Sequence, residues 1–185
     1  SVICLKRCAY LRTHVTWLCA RAWSERTLPS QWLRAISILV FKQGDPSSPE
    51  NFRPITLEPV CLKIFTSILR NRMYSFLLEN GYAESHVQKG FIPGLSGTFE
   101  HIAAMSHIIS QARVKQRSLT ITLLDLKNAF GEVSHDLIKC VFDYHHIPKE
   151  ISEIFDSLYS NFGTAIATNT FVTGFIPIKK RSIAR

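Results

Sequence analysis

The chain has 185 residues, 46% of them hydrophobic, so it can bury a core and is of one-domain size. Its formal charge of +8, from 22 Lys plus Arg against 14 Asp plus Glu, points to a polyanionic partner such as nucleic acid or to a solvated basic surface. No apolar run approaches the ~20 residues of a membrane span and no signal-peptide pattern opens the chain, which predicts a soluble intracellular protein, nuclear or cytoplasmic, with no membrane partner. The cysteines, Cys4, Cys8, Cys19, Cys61 and Cys140, are odd in number and contain no C-x-x-C. Cys4 and Cys8 with His14 lack a fourth zinc ligand, so the thiols read as buried or idle.

Residues 2–24 read as one helix, because Cys8, Leu11, Val15, Leu18 and Ala22 recur at helical steps while Lys6, Arg7, Arg12 and Arg21 lie mostly off that stripe. Leu28-Pro29-Ser30 breaks it, and Ser30 is placed to cap a single turn holding Trp32, an expected core anchor. Residues 36–42 form a strand, residues 43–51 a Gly-, Pro- and Ser-rich loop, and residues 52–57 a second strand. The resulting hairpin carries Lys42 and Arg53 at its ends. Alone, these are two solvated charges beside a turn or two groups shaped to grip phosphate. Pro54 holds Arg53 in extended backbone.

Residues 60–78 read as a helix with Cys61, Phe65, Leu69 and Met73 on one stripe, beside Ile64 and Ile68. Lys63 and Arg70 share its other face, an arrangement suited to a phosphate backbone and common on ordinary helices. Asn80-Gly81 supplies a left-handed stop. Glycines at 90, 94 and 97 precede a helix over residues 98–115 with Ile102, Met105, Ile109 and Ala112 as its expected buried stripe. Residues 119–124 then read as a buried central strand that ends on Asp125. A carboxylate there caps the next helix, stays solvated, pairs, or holds a metal.

Further on, Ser134 and Asp136 start a helix through Tyr144, and Pro148 starts another with Ile151, Ile154, Phe155 and Leu158 inward. Strands follow at residues 164–168 and 171–178. His135, His145 and His146 read as solvated helix-end residues.

Three of these stretches match one family in order. FKQGDPSSPENFRPITL resembles the K-x-G-D…N-[YF]-R-P-I-[ST]-L signature of reverse transcriptases from non-LTR, LINE-like retrotransposons. QKGFIPG resembles their Q-x-G-F-x-x-G stretch, and DLKNAF resembles the D-x-x-x-A-F form of motif A, with Gly131 where the family often has a second Asp. The resemblance covers roughly residues 28–180. It implies an α+β fold, a partial polymerase right hand of fingers plus incomplete palm, with helices packed on a small antiparallel sheet. Residues 1–29 would form an amino-terminal helical extension, 30–118 the fingers-like region, and 119–185 the incomplete palm.

By the same resemblance Asp125 is catalytic and binds magnesium, with the Leu126 carbonyl completing one shell. Lys42 and Arg53 grip the triphosphate, and Phe130 lies under the sugar and selects against a ribose 2′-OH. Lys63, Arg70, Gln88, Gly90 and Phe91 fall where nucleic acid would lie. The implied partners are an RNA template, a DNA primer, deoxynucleoside triphosphates and the missing remainder of the polymerase. Mg2+ is implied in the complete domain only. Two-metal nucleotidyl transfer needs at least two separated carboxylates, and residues 175–180 are followed by Arg181–Arg185, not by the family's G-x-x-Q-G-D-x-x-S-P loop and later [YF]-A-D-D hairpin. Asp136, Asp143 and Asp156, all on predicted helices, are no substitutes. Both ends look cut, so the chain reads as a truncated fragment of an RNA-directed DNA polymerase, inactive by itself. The rival readings are a catalytically dead nucleic-acid-binding remnant and a nonfunctional relic.

Overall fold

The computed structural model describes residues 2–82, 89, 90, 92, 94, 97–126 and 133–178. The chain divides into two compact units, Ser1–Met73 with Gly131–Arg185, and Tyr74–Phe130. The first unit opens with α1 (Val2–Arg7) and α2 (Ala9–Glu25). The single helix expected over residues 2–24 is interrupted, because Cys8 takes extended backbone at φ −109° and ψ 109°. Of the expected stripe, Val15 and Ala22 are buried, joined by Cys19, whereas Cys8 and Leu11 are exposed. A 3-10 turn, Ser30–Leu33, follows. Its N-cap is Pro29 and not Ser30, since the fixed φ of proline already sets the entry angle. Trp32 is the anchor expected of it, 6% exposed, with its ring centroid 6.0 Å from that of Phe65.

The sheet is built from β1 (Arg34–Phe41), β2 (Phe52–Leu57), β3 (Gly163–Ala167) and β4 (Ile176–Pro177), in the order β2-β1-β3-β4. β1 and β2 make the expected antiparallel hairpin, with Phe41 opposite Phe52 and Ile36 opposite Leu57. The expectation of an antiparallel sheet fails on the other side of β1. There β3 runs parallel, with Arg34 opposite Gly163 and Ile38 opposite Ala167. A parallel neighbour needs a long crossover, and the whole stretch between β2 and β3 supplies it. Pro54 stands on edge strand β2, opposite Leu39. Counting from the Lys42 N–H bond to the Asn51 carbonyl (2.8 Å), this is a non-hydrogen-bonded pair, where a missing N–H costs no ladder bond.

One face of β1 turns inward at Ala35 and Ser37, both 2% exposed. The Ser37 hydroxyl lies 2.8 Å from that of Thr56 on β2 and 2.9 Å from that of Thr164 on β3, so one buried polar group ties three strands. α3 (Val60–Glu79), α5 (His135–Tyr144) and α6 (Lys149–Asn161) add to this unit's core Leu62, Phe65 and Leu69, Phe142, and Ile151 and Ile154. Ser134 caps α5 as expected, accepting the Leu137 N–H at 3.1 Å. His135 is half-buried and not solvated, its ring 4.3 Å from that of Tyr159. Arg26 clasps α2 to α6, since its guanidinium meets Glu153 at 2.8 Å and Glu150 at 3.7 Å, and the Leu28 N–H donates to Ser157 Oγ at 3.0 Å.

In the second unit the end of α3 carries the expected glycine stop. Gly81 sits at φ +70°, its N–H reaches the Leu78 carbonyl at 3.0 Å, and the Tyr82 N–H reaches the Leu77 carbonyl at 2.8 Å. α4 (Thr98–Val114) forms where expected, but no residue of it is buried, and Ile102 is 57% exposed. The expected central strand is also absent. Residues 117–126 have no regular secondary structure, and Leu123 and Leu124 are 86% and 93% exposed. A strand has no hydrogen bonds of its own and forms only beside a partner, and among the described residues no strand pairs with residues 117–126.

Leu62 is 1% exposed at the heart of the first unit. Leu62→Ala is expected to cost about 3 kcal/mol of unfolding free energy, as buried leucine truncations do, read from the shift of a urea transition. A transition unmoved by more than about 1 kcal/mol would contradict the core assigned here.

Candidate phosphate-gripping hairpin

The hairpin end is built by a loop with its own internal bonding. Gly44 takes φ +96°, and a Cβ placed there would stand 2.8 Å from Asn51 Nδ2. Only glycine suits both demands. Asp45 then turns the chain, one carboxylate oxygen accepting the Ser47 N–H at 2.9 Å and the other the Ser47 hydroxyl at 2.7 Å. These hydrogen bonds hold its carboxyl below the usual carboxylate range. Asn51 closes the loop, donating its amide to the Asp45 carbonyl at 3.0 Å while its own carbonyl accepts the Lys42 N–H. Below it the Phe41 and Phe52 rings meet at 5.4 Å.

This latch fixes where the two expected phosphate-binding cations stand. Arg53 is opposite Val40, and Lys42 is two residues beyond Val40, so the pleat puts both on one face. They form a diagonal pair, roughly 7–8 Å apart at the backbone. Both side chains are exposed, and among the described residues neither has an ion-pair partner. Behind them the same face carries Ile36, Ile38, Val40, Ile55 and Leu57, each 43–50% exposed. Two unpaired cations above an apolar floor can take a multiply charged anion without first breaking a salt bridge.

The other expected site residues are not brought to this hairpin by the first unit. Asp125 and Leu126 lie in the second unit, both exposed. Among the described residues no group of three or more His, Cys, Asp or Glu side chains could hold a metal ion. One carboxylate and one carbonyl do not fit a magnesium pair. Phe130, Gln88 and Phe91 lie outside the described residues, as does the rest of the D-x-x-x-A-F stretch beyond Leu126. Gly90 is in the second unit, next to Lys89, whose ammonium meets Glu100 at 2.8 Å. Lys63 and Arg70 are both exposed on α3, and Arg70 donates to the adjacent Asn71 side chain.

The composition of residues 43–51 predicts a loop but not its Asp45–Asn51 closure. The Asp-Pro-Ser run is a recognisable turn signal. A side-chain amide reaching back to residue 45 carries no local signature.

No protein-family model matches the chain. Over 138 residues, 75% of its length, it is 30% identical to the Retrovirus-related Pol polyprotein from type-1 retrotransposable element R2 of Nasonia vitripennis. The chain is a relative of the retrotransposon Pol polyproteins. It is also 32% identical over 109 residues to the probable RNA-directed DNA polymerase from transposon BS, and 31% over 108 residues to that from transposon X-element, both of Drosophila melanogaster. The matched segments cover 13% of the R2 polyprotein and 12% of the other two, so the chain spans about an eighth of these relatives.

Gly44→Ala is expected to loosen the hairpin tip, raising amide exchange at Ser47 and Ser48 by about tenfold or more. Asp45 adds a pH dependence. Its carboxyl is lowered in the folded state, so the protection it gives is complete above the ordinary carboxylate range and is lost as pH falls through the depressed value. Exchange at Ser47, corrected for its intrinsic rate, should rise only at acid pH, and Asp45→Asn should flatten that rise.

Proposed function

We propose that the chain is the fingers region and first part of the palm of an RNA-directed DNA polymerase of a non-LTR retrotransposon. In this reading Lys42 and Arg53 hold the triphosphate of the incoming deoxynucleotide. The observation that carries it is the placement of these two cations, unpaired and on one face, at the latched end of a hairpin whose sequence matches the family signature. The relatives' names, two of which are RNA-directed DNA polymerases, support the same assignment.

The chemistry follows from the two side chains. Arg53 presents a planar fork that matches two phosphate oxygens, and Pro54 restrains its backbone. Lys42 adds a mobile point charge at the diagonal position, so charge that builds on a leaving pyrophosphate meets two cations already in place. Asn51 and Gly44 set the spacing of this pair by closing the loop between them. Phe130 is assigned to the sugar as a steric filter against a 2′-OH.

Magnesium belongs in this proposal to the complete domain, where Asp125 and the Leu126 carbonyl supply part of a shell. Among the described residues no further His, Cys, Asp or Glu side chains group with Asp125 to complete that shell. The chain alone is therefore assigned binding without polymerisation. The template, the primer and the rest of the polymerase are its proposed partners.

A deoxynucleoside triphosphate should bind the chain, and Lys42→Ala and Arg53→Ala should each weaken it about tenfold, the scale of one charge-assisted hydrogen bond. The unphosphorylated nucleoside should not respond to either change. Triphosphate affinity indifferent to both substitutions would remove the assignment. Template-dependent primer extension by this chain with magnesium would refute its inactivity, whereas salt-dependent RNA binding unchanged by Asp125→Ala would favour a binding remnant.

A further inference from the structure

A trough of about 660 Å3 lies between α1–α2 and α3, away from the hairpin residues and wholly inside the first unit. Its size falls within the range of ligand sites, roughly 300–1,000 Å3. Val60, Ile64 and Ile68 follow one another at steps of four along α3 and make one ridge of its lining, with Val60 and Ile68 left 40% and 45% exposed. Leu5 and Val15 form the facing apolar wall. Lys6, Arg12 and Lys63 are the charged residues of the lining, and among the described residues no acidic one joins them. Arg12 is held in place there, donating from Nη1 to the carbonyls of Lys6 at 2.9 Å and Leu5 at 3.3 Å.

We infer that this trough docks an acidic amphipathic helix of a partner protein. Residues 60–71 of its lining span about 16 Å at the helical rise, enough for about three turns of a second helix. A ridge at steps of four accepts the matching ridge of an incoming helix, and an apolar stripe seated on a trough between helices is a recurrent recognition mode. The charge decides the character of the flanks. Three cations with no acid among the lining residues attract glutamate and aspartate beside the apolar stripe and repel a basic helix. A nucleic acid is the poorer fit, because among the described residues no aromatic ring lines the trough to stack a base, and its aliphatic lining would face a polar backbone. Lys63, expected from its helix face to meet phosphate, thus stands at an apolar trough. This inference does not depend on the nucleotide assignment of Lys42 and Arg53, which lie outside the lining.

The test is a calorimetric titration of the chain with a synthetic helix of about fourteen residues, long enough to fill the trough, with leucines at steps of three and four flanked by glutamates. A counterpart carries lysines in place of the glutamates. The acidic peptide should bind saturably and the basic one should not. Ile68→Glu and Lys63→Glu, both at exposed positions and checked for an unchanged thermal transition, should each weaken binding about tenfold. Lys63→Glu combined with Lys6→Glu should reverse the preference toward the basic peptide. Equal binding of both peptides, binding of neither, or insensitivity to Ile68→Glu would overturn the inference. So would displacement of the bound peptide by a single-stranded RNA whose own binding needs Ile68.

Discussion

The parallel pairing of β1 with β3 is the constraint on which the rest of the first unit depends. It joins Arg34–Ile38 to Gly163–Ala167 across most of the chain, so it closes a very long loop and must recover that entropy from what it buries. The return comes through Ser37, whose hydroxyl spans β2, β1 and β3, and through the Arg26–Glu153 and Leu28–Ser157 contacts just before the ladder. With β3 on one side and β2 on the other, β1 cannot slip by a residue without taking Ala35 and Ser37 off the buried face. The hairpin at its far end inherits that register, and with it the common face of Lys42 and Arg53.

What could be read from the sequence follows the range of the interactions involved. β2 begins and ends at the residues expected from the loop before it, and the Ser134 cap and the Gly81 stop are where their residue types place them, because each is decided within a few residues. The parallel strand was beyond reach, since β3 has no local feature that names β1 as its neighbour. The segment 119–126 shows the converse. Its β-branched, apolar composition is a good strand prior, yet composition is only permission, and without a ladder partner the residues stay exposed.

The site divides along the same line. Lys42 and Arg53 were legible because a fixed spacing of charged and turn residues survives in the sequence as a motif. Their support was not. Gly44 and Asp45 sit in that motif and invite a reading as chemistry, but in the structure they are loop architecture: a left-handed glycine against an amide, and a carboxylate tied to Ser47. Asn51 completes the set by a bond that runs backwards along the loop. A signature can thus persist as a unit although Gly44, Asp45 and Asn51 are engaged within the loop itself.

Asp125 makes the same point from the opposite side. An aspartate becomes a metal ligand by being held where other oxygen donors converge, and holding it requires the strand before it to be paired. Leu123 and Leu124, almost fully exposed, show that these residues lack the neighbours that would bury them. Burying such side chains is worth roughly 1.5–3 kcal/mol each, a large fraction of what could order this short run. The free energy that places the carboxylate therefore has to come from adjoining strands and not from the motif. Lys42 and Arg53 differ in this respect, because β1 and β2 pair with each other from Ile36–Leu57 to Phe41–Phe52 within one unit, and the hairpin they flank is held by that ladder.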